Sequence, residues 1–253
     1  PKDRSIHGFP RGPEPGTFLH DLLEWAAREG FGNLAGDRQR ICDKLTGMAR
    51  IADQNDWVDV LADWLQNLLQ IPLMLPDPLQ PMALAALYPD SCQPELEFLL
   101  AAHGIDTLAL DAAVTEAVLP GARRPRLRKD TVNGMLKGFI DLVFCHQGRY
   151  FVVDYKSNYL GINPAAYGPA TMAEAMLEHR YDLQYALYTL ALHRLLKARR
   201  VDYDYQRDVG GVIYLFLRGV TARGQGVYFD KPPVGLIEKM DHAFAGQKDY
   251  HAR

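Results

Sequence analysis

Two aspartates interrupt a pair of apolar segments that a short turn separates. Asp141 lies inside the apolar run 135–144, and Asp154 follows the run 150–153. Between them, residues 146–149 read His-Gln-Gly-Arg, which is typical of a hairpin turn. The pattern predicts two antiparallel strands, buried on both faces, that bring Asp141 and Asp154 together. A carboxylate buried in such a strand costs free energy unless it is paired or binds a metal ion.

A lysine follows the second aspartate at the spacing that puts both side chains on one face of a strand. Lys156 lies two residues after Asp154, and strand side chains alternate with a period of two. Two adjacent carboxylates repel each other, so a hard divalent cation with oxygen ligands would neutralise them. Lys156 could orient a water molecule, deprotonate it as the neutral amine, or stabilise charge on a phosphate as the ammonium. Asp-x-Lys alone favours a simple buried ion pair, but with Asp141 beside it the set favours a metal-dependent phosphodiester hydrolase.

The chain divides into three parts by its residue pattern. Residues 1–16 are rich in proline and glycine and are expected to form an irregular arm or linker. Residues 17–92 are expected to be mostly helical, with Thr17 as the first N-cap. Residues 93–253 mix strand and helix patterns, which predicts an α/β or α+β core. The expected helices cover 38–52, 57–69, 171–198 and 235–245; the expected strands include 95–100, 210–218 and 226–229; and residues 105–119 fit either state.

Composition excludes several classes of protein. Of the 253 residues, 48% are apolar and 23% are charged, which excludes disorder of the whole chain. No apolar run approaches the roughly 20 residues needed to cross a bilayer, so no membrane association is expected. The net charge of −3 argues against attraction of nucleic acid to the whole surface, but it leaves a local basic path open.

The cysteines indicate a reducing environment. Cys42, Cys92 and Cys145 lie far apart in the sequence, so they predict no disulfide framework and too few thiolates for a four-cysteine metal site. This usage favours a cytoplasmic location. The sequence also starts without methionine, which suggests that it is a piece of a longer protein.

Five segments carry a resemblance to a known family. Gly138-Phe139-Ile140-Asp141, followed by Val153-Asp154-Tyr155-Lys156-Ser157, resembles the PD-(D/E)xK nuclease core and, more narrowly, the nuclease domain at the C-terminus of RecB subunits. Gln184 and Tyr188 match the family's Gln-x-x-x-Tyr motif, and Gly16–His20 resembles its upstream histidine motif. The segment 210–219 is also similar to the RecB family. The resemblance covers roughly residues 8 to 246 and is densest over 134–220.

The resemblance implies a fold and a set of site residues. The fold would be a restriction-endonuclease-like α/β core, with a central mixed β-sheet flanked by helices and a helical N-terminal portion; residues 17–92 would be the helical part and 93–253 the nuclease core. Asp141 and Asp154 would bind Mg²⁺, a site that Mn²⁺ or Ca²⁺ could also occupy. His20 and the backbone carbonyl of Tyr155 would be further metal ligands, and Lys156 would be the catalytic lysine. Glu97 would be the upstream acid, with Glu95 as a competitor. Gln184 and Tyr188 would support the site or contact DNA.

The implied activity is a Mg²⁺-dependent deoxyribonuclease. Its substrate would be DNA strands unwound by a RecBCD-type helicase during double-strand break processing and recombinational repair, with RecC and RecD as partner subunits. Two alternatives stay open: a catalytically silent nuclease-fold module for DNA binding or subunit assembly, and a related nuclease that acts on RNA. No Gly-x-x-x-x-Gly-Lys-Ser/Thr motif occurs, so no ATP site is expected in this chain.

A cluster of arginines precedes the first aspartate strand. A loop this basic could track a phosphate backbone, but a run of charges in a loop is also commonly just solvated. The sequence leaves both readings open for Arg123, Arg124, Arg126 and Arg128.

Overall fold

The structure is a computed structural model that describes residues 4–48, 57–76, 79–221 and 223–246. In these ranges the α-helices are α1 (Pro13–Glu29), α2 (Phe31–Ala35), α3 (Arg38–Met48), α4 (Val58–Gln70), α5 (Thr107–Ala117), α6 (Pro169–Glu178), α7 (Tyr181–Arg199), α8 (Tyr205–Asp208) and α9 (Val234–Phe244). The strands are β1 (Cys92–Asp106), β2 (Thr131–His146), β3 (Arg149–Lys156), β4 (Val209–Phe216) and β5 (Val227–Asp230).

The strands form one mixed sheet in the order β1-β2-β3-β4-β5. Strand β2 pairs antiparallel with both β1 and β3, β3 pairs parallel with β4, and β5 returns antiparallel to β4. The predicted hairpin is confirmed, because Gln147 and Gly148 connect β2 to β3 with φ angles of 50° and 76°, the signature of a tight two-residue turn. The predicted fold, a mixed sheet flanked by helices with a helical N-terminal portion, is therefore confirmed.

The sheet separates two apolar layers. Side chains alternate along the central strands, so Val153 packs into the core formed with α1 to α4, while Val152 packs into the core formed with α5, α6, α7 and α9. A site at the end of β3 is therefore flanked by α1 on one side and α7 on the other.

The first helix begins earlier than the sequence predicts. We expected an irregular arm over 1–16 and an N-cap at Thr17, but α1 starts at Pro13 after Gly12. Proline suits the first helical position, because its missing N–H would be unpaired there in any case. The segment before it packs against the body of the protein. The buried guanidinium of Arg218 donates hydrogen bonds to the carbonyl oxygens of Ile6, Phe9 and Pro10.

The prediction of one long helix over 171–198 is wrong. Two helices, α6 and α7, meet at His179 and Arg180, and Arg180 adopts a left-handed conformation with φ 56°. The guanidinium of Arg180 lies 2.6 Å from Asp111 and 3.1 Å from Asp182. These ion pairs stabilise the break, and one of them joins residues far apart in the sequence.

Two other expectations change in detail. The ambiguous stretch 105–119 contains the helix α5, which the Asp106 carboxylate caps by accepting from the N–H groups of Leu108 and Ala109. Strand β2 is not buried on both faces along its length, because Met135 is 61% exposed and Phe139 is 44% exposed. Residues 49–52 of the helix expected over 38–52 lie outside the described residues.

Two expected absences concern membranes and disulfides. None of the helices in the described ranges is long and apolar enough to cross a membrane. Cys42, Cys92 and Cys145 are all free thiols.

Candidate active site

The two aspartates lie where the central strands separate. The pairing between β2 and β3 ends at Leu142 and Val153. Beyond that point β2 continues paired with β1, and β3 continues paired with β4 as far as Lys156. Asp141 and Asp154 are the first residues past the end of the shared ladder, so both lie where the two strands separate.

Asp141 bridges this opening. Its Oδ2 accepts a hydrogen bond from the backbone N–H of Tyr155 at 2.6 Å, and its Oδ1 lies 3.6 Å from Nδ1 of His20 on α1. The carboxylate therefore connects the helix on one side of the sheet to the strand that carries Asp154. The sequence-predicted pair of acids and the histidine are brought into one neighbourhood.

Asp154 and Lys156 lie on the α7 side of β3. Asp154 is buried, and Nζ of Lys156 lies 2.5 Å from its Oδ2. Burial raises the pKa of Asp154 and the nearby charge of Asp141 raises it further, whereas Lys156 opposes the shift. The Lys156 ammonium thus offsets only part of the cost of the buried Asp154 charge and of its repulsion by Asp141, a cost that a bound cation would lower.

The ammonium of Lys156 is held by several groups on the α7 side. It donates to Oε1 of Gln184 at 3.0 Å, and the Tyr214 hydroxyl donates to the same oxygen at 3.1 Å. Nε2 of Gln184 donates to the Tyr188 hydroxyl at 2.8 Å, and Nζ of Lys156 lies 3.9 Å from the ring centroid of Tyr181. Gln184 and Tyr188 therefore share one helix face, and Gln184 positions the lysine directly.

His20 completes the group from the opposite side. Its ring makes an edge contact with Tyr155, with 5.9 Å between centroids. Burial lowers the pKa of His20, but the nearby carboxylate of Asp141 and the charge of Asp154 outweigh burial, so the net shift is upward. The pKa of His20 therefore depends on the charges of both Asp141 and Asp154.

The upstream acid nearest to this group is Glu95 rather than Glu97. Burial raises the pKa of Glu95, and the charge of Asp141 raises it further, so Glu95 lies within electrostatic reach of the site. Glu97 instead forms a half-exposed ion pair with Lys137 at 3.1 Å. Glu95 and Glu97 are two residues apart on one strand, so the period of two could not distinguish them. Glu95 has a left-handed φ of 50°, which the sequence did not predict.

The four arginines of the basic loop are not equivalent. Arg124 is buried, with Nη1 2.7 Å from Oδ2 of Asp182, and it also donates to the carbonyls of Val118 and Leu119. Arg124 therefore holds the loop to the start of α7 and is not available to a nucleic acid, contrary to its place in the predicted path. Arg123, Arg126 and Arg128 are exposed.

This difference gives a stability prediction. Replacing Arg124 with leucine should lower the free energy of unfolding by about 3–5 kcal/mol, because it leaves the buried Asp182 carboxylate with less compensation. The matched change Arg123→Leu should alter it by less than about 0.5 kcal/mol, as is usual for an exposed site. Urea unfolding followed by circular dichroism measures both. Equal midpoints for the two variants would contradict the structural role of Arg124.

The donor atoms at the site suit a hard divalent cation, although they do not form a closed shell. Across the described part of the chain, no three His, Cys, Asp or Glu side chains are gathered closely enough to hold a metal ion. The donors near one another are two carboxylates and an imidazole, and the buried Asp154 is only partly compensated by Lys156. Oxygen-rich donors of this kind fit Mg²⁺ or Ca²⁺.

Comparisons with known proteins agree with this geometry. The model of the PD-(D/E)XK nuclease superfamily matches residues 4–249. Over 243 residues the chain is 45% identical to the RecBCD enzyme subunit RecB of Escherichia coli (strain K12), covering 95% of this chain and 20% of that protein. It is 38% identical over 245 residues to RecB of Haemophilus influenzae, covering 96% of this chain and 19% of that protein.

A third match covers a smaller part of the chain. Over 115 residues the chain is 46% identical to RecB of Mycobacterium tuberculosis (strain H37Rv), covering 42% of this chain and 10% of that protein. The chain spans about a fifth of the length of the first two relatives. The resemblance predicted from the motifs is confirmed: the chain belongs to the PD-(D/E)XK nuclease superfamily.

Proposed function

We propose that the chain is a divalent-cation-dependent deoxyribonuclease that hydrolyses phosphodiester bonds at the opening between β2 and β3. The observation that carries this proposal is the placement of Asp141, Asp154 and Lys156. Two acids meet at the end of a strand ladder, and an ammonium lies 2.5 Å from one of them. A buried carboxylate with a second acid nearby and one ammonium beside it is costly as a structural element and useful as a metal site.

The side chains have separate roles in this proposal. Asp141, Asp154, His20 and the carbonyl of Tyr155 would hold the cation, which we take to be Mg²⁺. When bound, such a cation supplies an activated water at neutral pH and neutralises charge on the phosphate. Lys156, fixed by Gln184, presents its ammonium to the negative charge that develops on the phosphate during attack.

Two further positions support the site. Glu95 serves as the upstream acid in place of Glu97, because its carboxyl interacts electrostatically with Asp141 and His20. The Tyr188 hydroxyl accepts a hydrogen bond from the amide of Gln184, so Tyr188 acts on Lys156 indirectly, through Gln184. The exposed Arg123, Arg126 and Arg128 contribute phosphate contacts on the loop that precedes β2.

DNA is the favoured substrate because of the relatives. The matching proteins are RecB subunits of the RecBCD enzyme. We infer that this chain acts on DNA strands from a duplex unwound by a helicase, in processing of double-strand breaks and recombinational repair. RecC and RecD subunits would be its partners, and the chain would act on DNA in the cytoplasm. The lengths of the products from an end-labelled strand distinguish cleavage that begins at an end from cleavage within the strand.

The silent-module alternative is disfavoured by the residues themselves. A chain kept only for DNA binding or assembly would have no need to bury Asp154 against Lys156 or to fix that lysine with Gln184. The RNA alternative uses the same chemistry, so only the substrate distinguishes it.

A paired substrate assay tests the proposal. End-labelled single-stranded DNA, and RNA of the same sequence, are incubated with the chain in Mg²⁺, in EDTA, and in EDTA followed by excess Mg²⁺. We expect DNA cleavage in Mg²⁺, none in EDTA, and recovery when Mg²⁺ is restored. No cleavage of either substrate with Mg²⁺ or Mn²⁺ would support the silent module, and faster cleavage of RNA would support the RNA alternative.

A further inference from the structure

One face of the β1–β2 pair is exposed and partly apolar next to the site. We call it the ribbon face; it consists of Glu97, Leu99, Ala101, Met135, Lys137 and Phe139. The antiparallel register sets Glu97 opposite Phe139, Leu99 opposite Lys137, and Ala101 opposite Met135. Leu99 is 55% exposed, Met135 61% and Phe139 44%. Three large apolar side chains therefore stand in solvent within three successive rows of one ribbon.

The opposite face of the same ribbon is packed, so the exposure is not a sign of an unsupported strand end. Phe98 lies against the ring of Tyr188, with centroids 5.6 Å apart, and Leu100 is buried in the core with α7 and α9. Gly138 is in contact with the ring of Phe98, where a Cβ atom would lie 2.3 Å from Cζ. The backbone that carries Phe139 is therefore fixed, and its ring is held outward.

The ribbon face begins one row from the acid pair. Phe139 lies two residues before Asp141 on β2, a distance of about 6.7 Å along a strand. Both residues lie on the strand segment that α1 approaches, since Asp141 lies 3.6 Å from His20. Phe139 and Asp141 lie on the α1 side of β2, whereas Asp154 and Lys156 lie on the α7 side of β3, so a polymer whose backbone reaches Asp141 from the α1 side would extend along this face.

The chemistry of the face suits nucleic acid bases. Phe139 offers a flat ring, and Nζ of Lys137 lies 5.0 Å from its centroid. Lys137 is half exposed and offers a cation to a phosphate, while Glu97 keeps it near the ring. Every base has a π-face, so an aromatic platform binds single strands with little sequence preference.

We propose that the ribbon face binds a single strand of nucleic acid, with Phe139 stacking on the base next to the phosphodiester bond that is cut. This proposal rests on the proposed nuclease function and adds to it the position of the substrate. The occupant is a single strand rather than a duplex, because stacking on Phe139 requires a base that is free on one side. Asp141 lies on the same side of β2 as Phe139, and this continuity with the site favours nucleic acid over a protein partner.

The first experiment replaces Phe139 with alanine. Binding of a short fluorescent single-stranded DNA is measured by anisotropy in EDTA, so that no cleavage is needed. The affinity should fall roughly 5- to 100-fold, as for the loss of one stacked base. Phe139→Tyr should restore it to within about twofold, because the ring is kept. The matched control is Tyr88→Ala. It removes an aromatic side chain that is 79% exposed and that precedes the first residue of β1, outside the ribbon face.

A second arm separates stacking from general damage. An abasic nucleotide is moved along the oligonucleotide until one position weakens binding to the wild-type chain. At that position, Phe139→Ala should show no further loss, because the base and the ring act as a pair. Full affinity of Phe139→Ala with an unchanged melting temperature would overturn the proposal, and so would equal, additive losses at every abasic position. Cleavage by the wild type is measured separately, so failure of the nuclease assignment is distinguishable from failure of the ribbon face.

Discussion

Asp154→Asn is expected to reduce the rate of DNA cleavage by at least about 1,000-fold, because it removes a charge on which both cation binding and phosphate neutralisation depend. The amide is isosteric with the carboxyl and neutral. Burial already raises the pKa of Asp154, so the neutral amide relieves part of the cost of a buried charge, while Lys156 loses its carboxylate partner. We therefore expect the fold to be kept. Single-turnover cleavage of single-stranded DNA in saturating Mg²⁺ measures the rate.

The control for this variant is Asp202→Asn. Asp202 is 72% exposed and pairs only with surface arginines, so the same chemical change there should leave the cleavage rate within about twofold of wild type. If Asp154→Asn cuts as fast as the wild type with an unaltered circular dichroism spectrum, Asp154 has no part in catalysis.

Lys156→Gln is expected to lower turnover about 100- to 10,000-fold while changing the affinity for Mg²⁺ much less. The ammonium lies beside Asp154 and is fixed by Gln184, so its proposed action is on the phosphate and not on the cation. Cleavage at saturating Mg²⁺ gives the turnover, and isothermal titration with Mg²⁺ gives the affinity. Lost cation binding combined with normal turnover at saturating Mg²⁺ would show that Lys156 belongs to the metal site instead.

The matched control here is Lys231→Gln. Lys231 is also partly buried, and its ammonium donates to the carbonyl of Gln206 away from the acid pair. This variant should keep both turnover and affinity, so a loss shared by both lysine variants would indicate general destabilisation rather than a catalytic role.

Local signals in the sequence were enough to predict the centre of the site. The alternation of side chains put Asp154 and Lys156 together, and the Gln147-Gly148 turn fixed the partner strand of Asp141. These relations span only a few residues, so pattern and turn chemistry determine them. The spacing of Gln184 and Tyr188 on α7 was predictable for the same reason.

Features that depend on distant contacts were not predictable. The break between α6 and α7 depends on Arg180, whose partner Asp111 lies on α5. The apolar pattern runs across the break without interruption, so periodicity indicated one helix. Arg124 looked like its exposed neighbours in the basic loop, and only the position of Asp182 shows that it is buried.

The exposed ribbon face was missed because its residues read as core. Met135 and Phe139 belong to an apolar run that indicated a strand buried on both sides. The N-terminal helices cover one side of the sheet only over part of its width, and their extent is set by packing, which strand periodicity does not report. An apolar residue in a strand indicates burial on average but does not specify which of the two faces is covered.

A crystal of the chain soaked in Ca²⁺ would show most directly whether Asp141 and Asp154 share one cation. We predict one cation within about 2.3–2.6 Å of a carboxylate oxygen from each of Asp141 and Asp154, with His20 and the carbonyl of Tyr155 in the same coordination shell. A cation bound by one aspartate alone, or bound elsewhere while the two carboxylates point apart, would contradict a shared site.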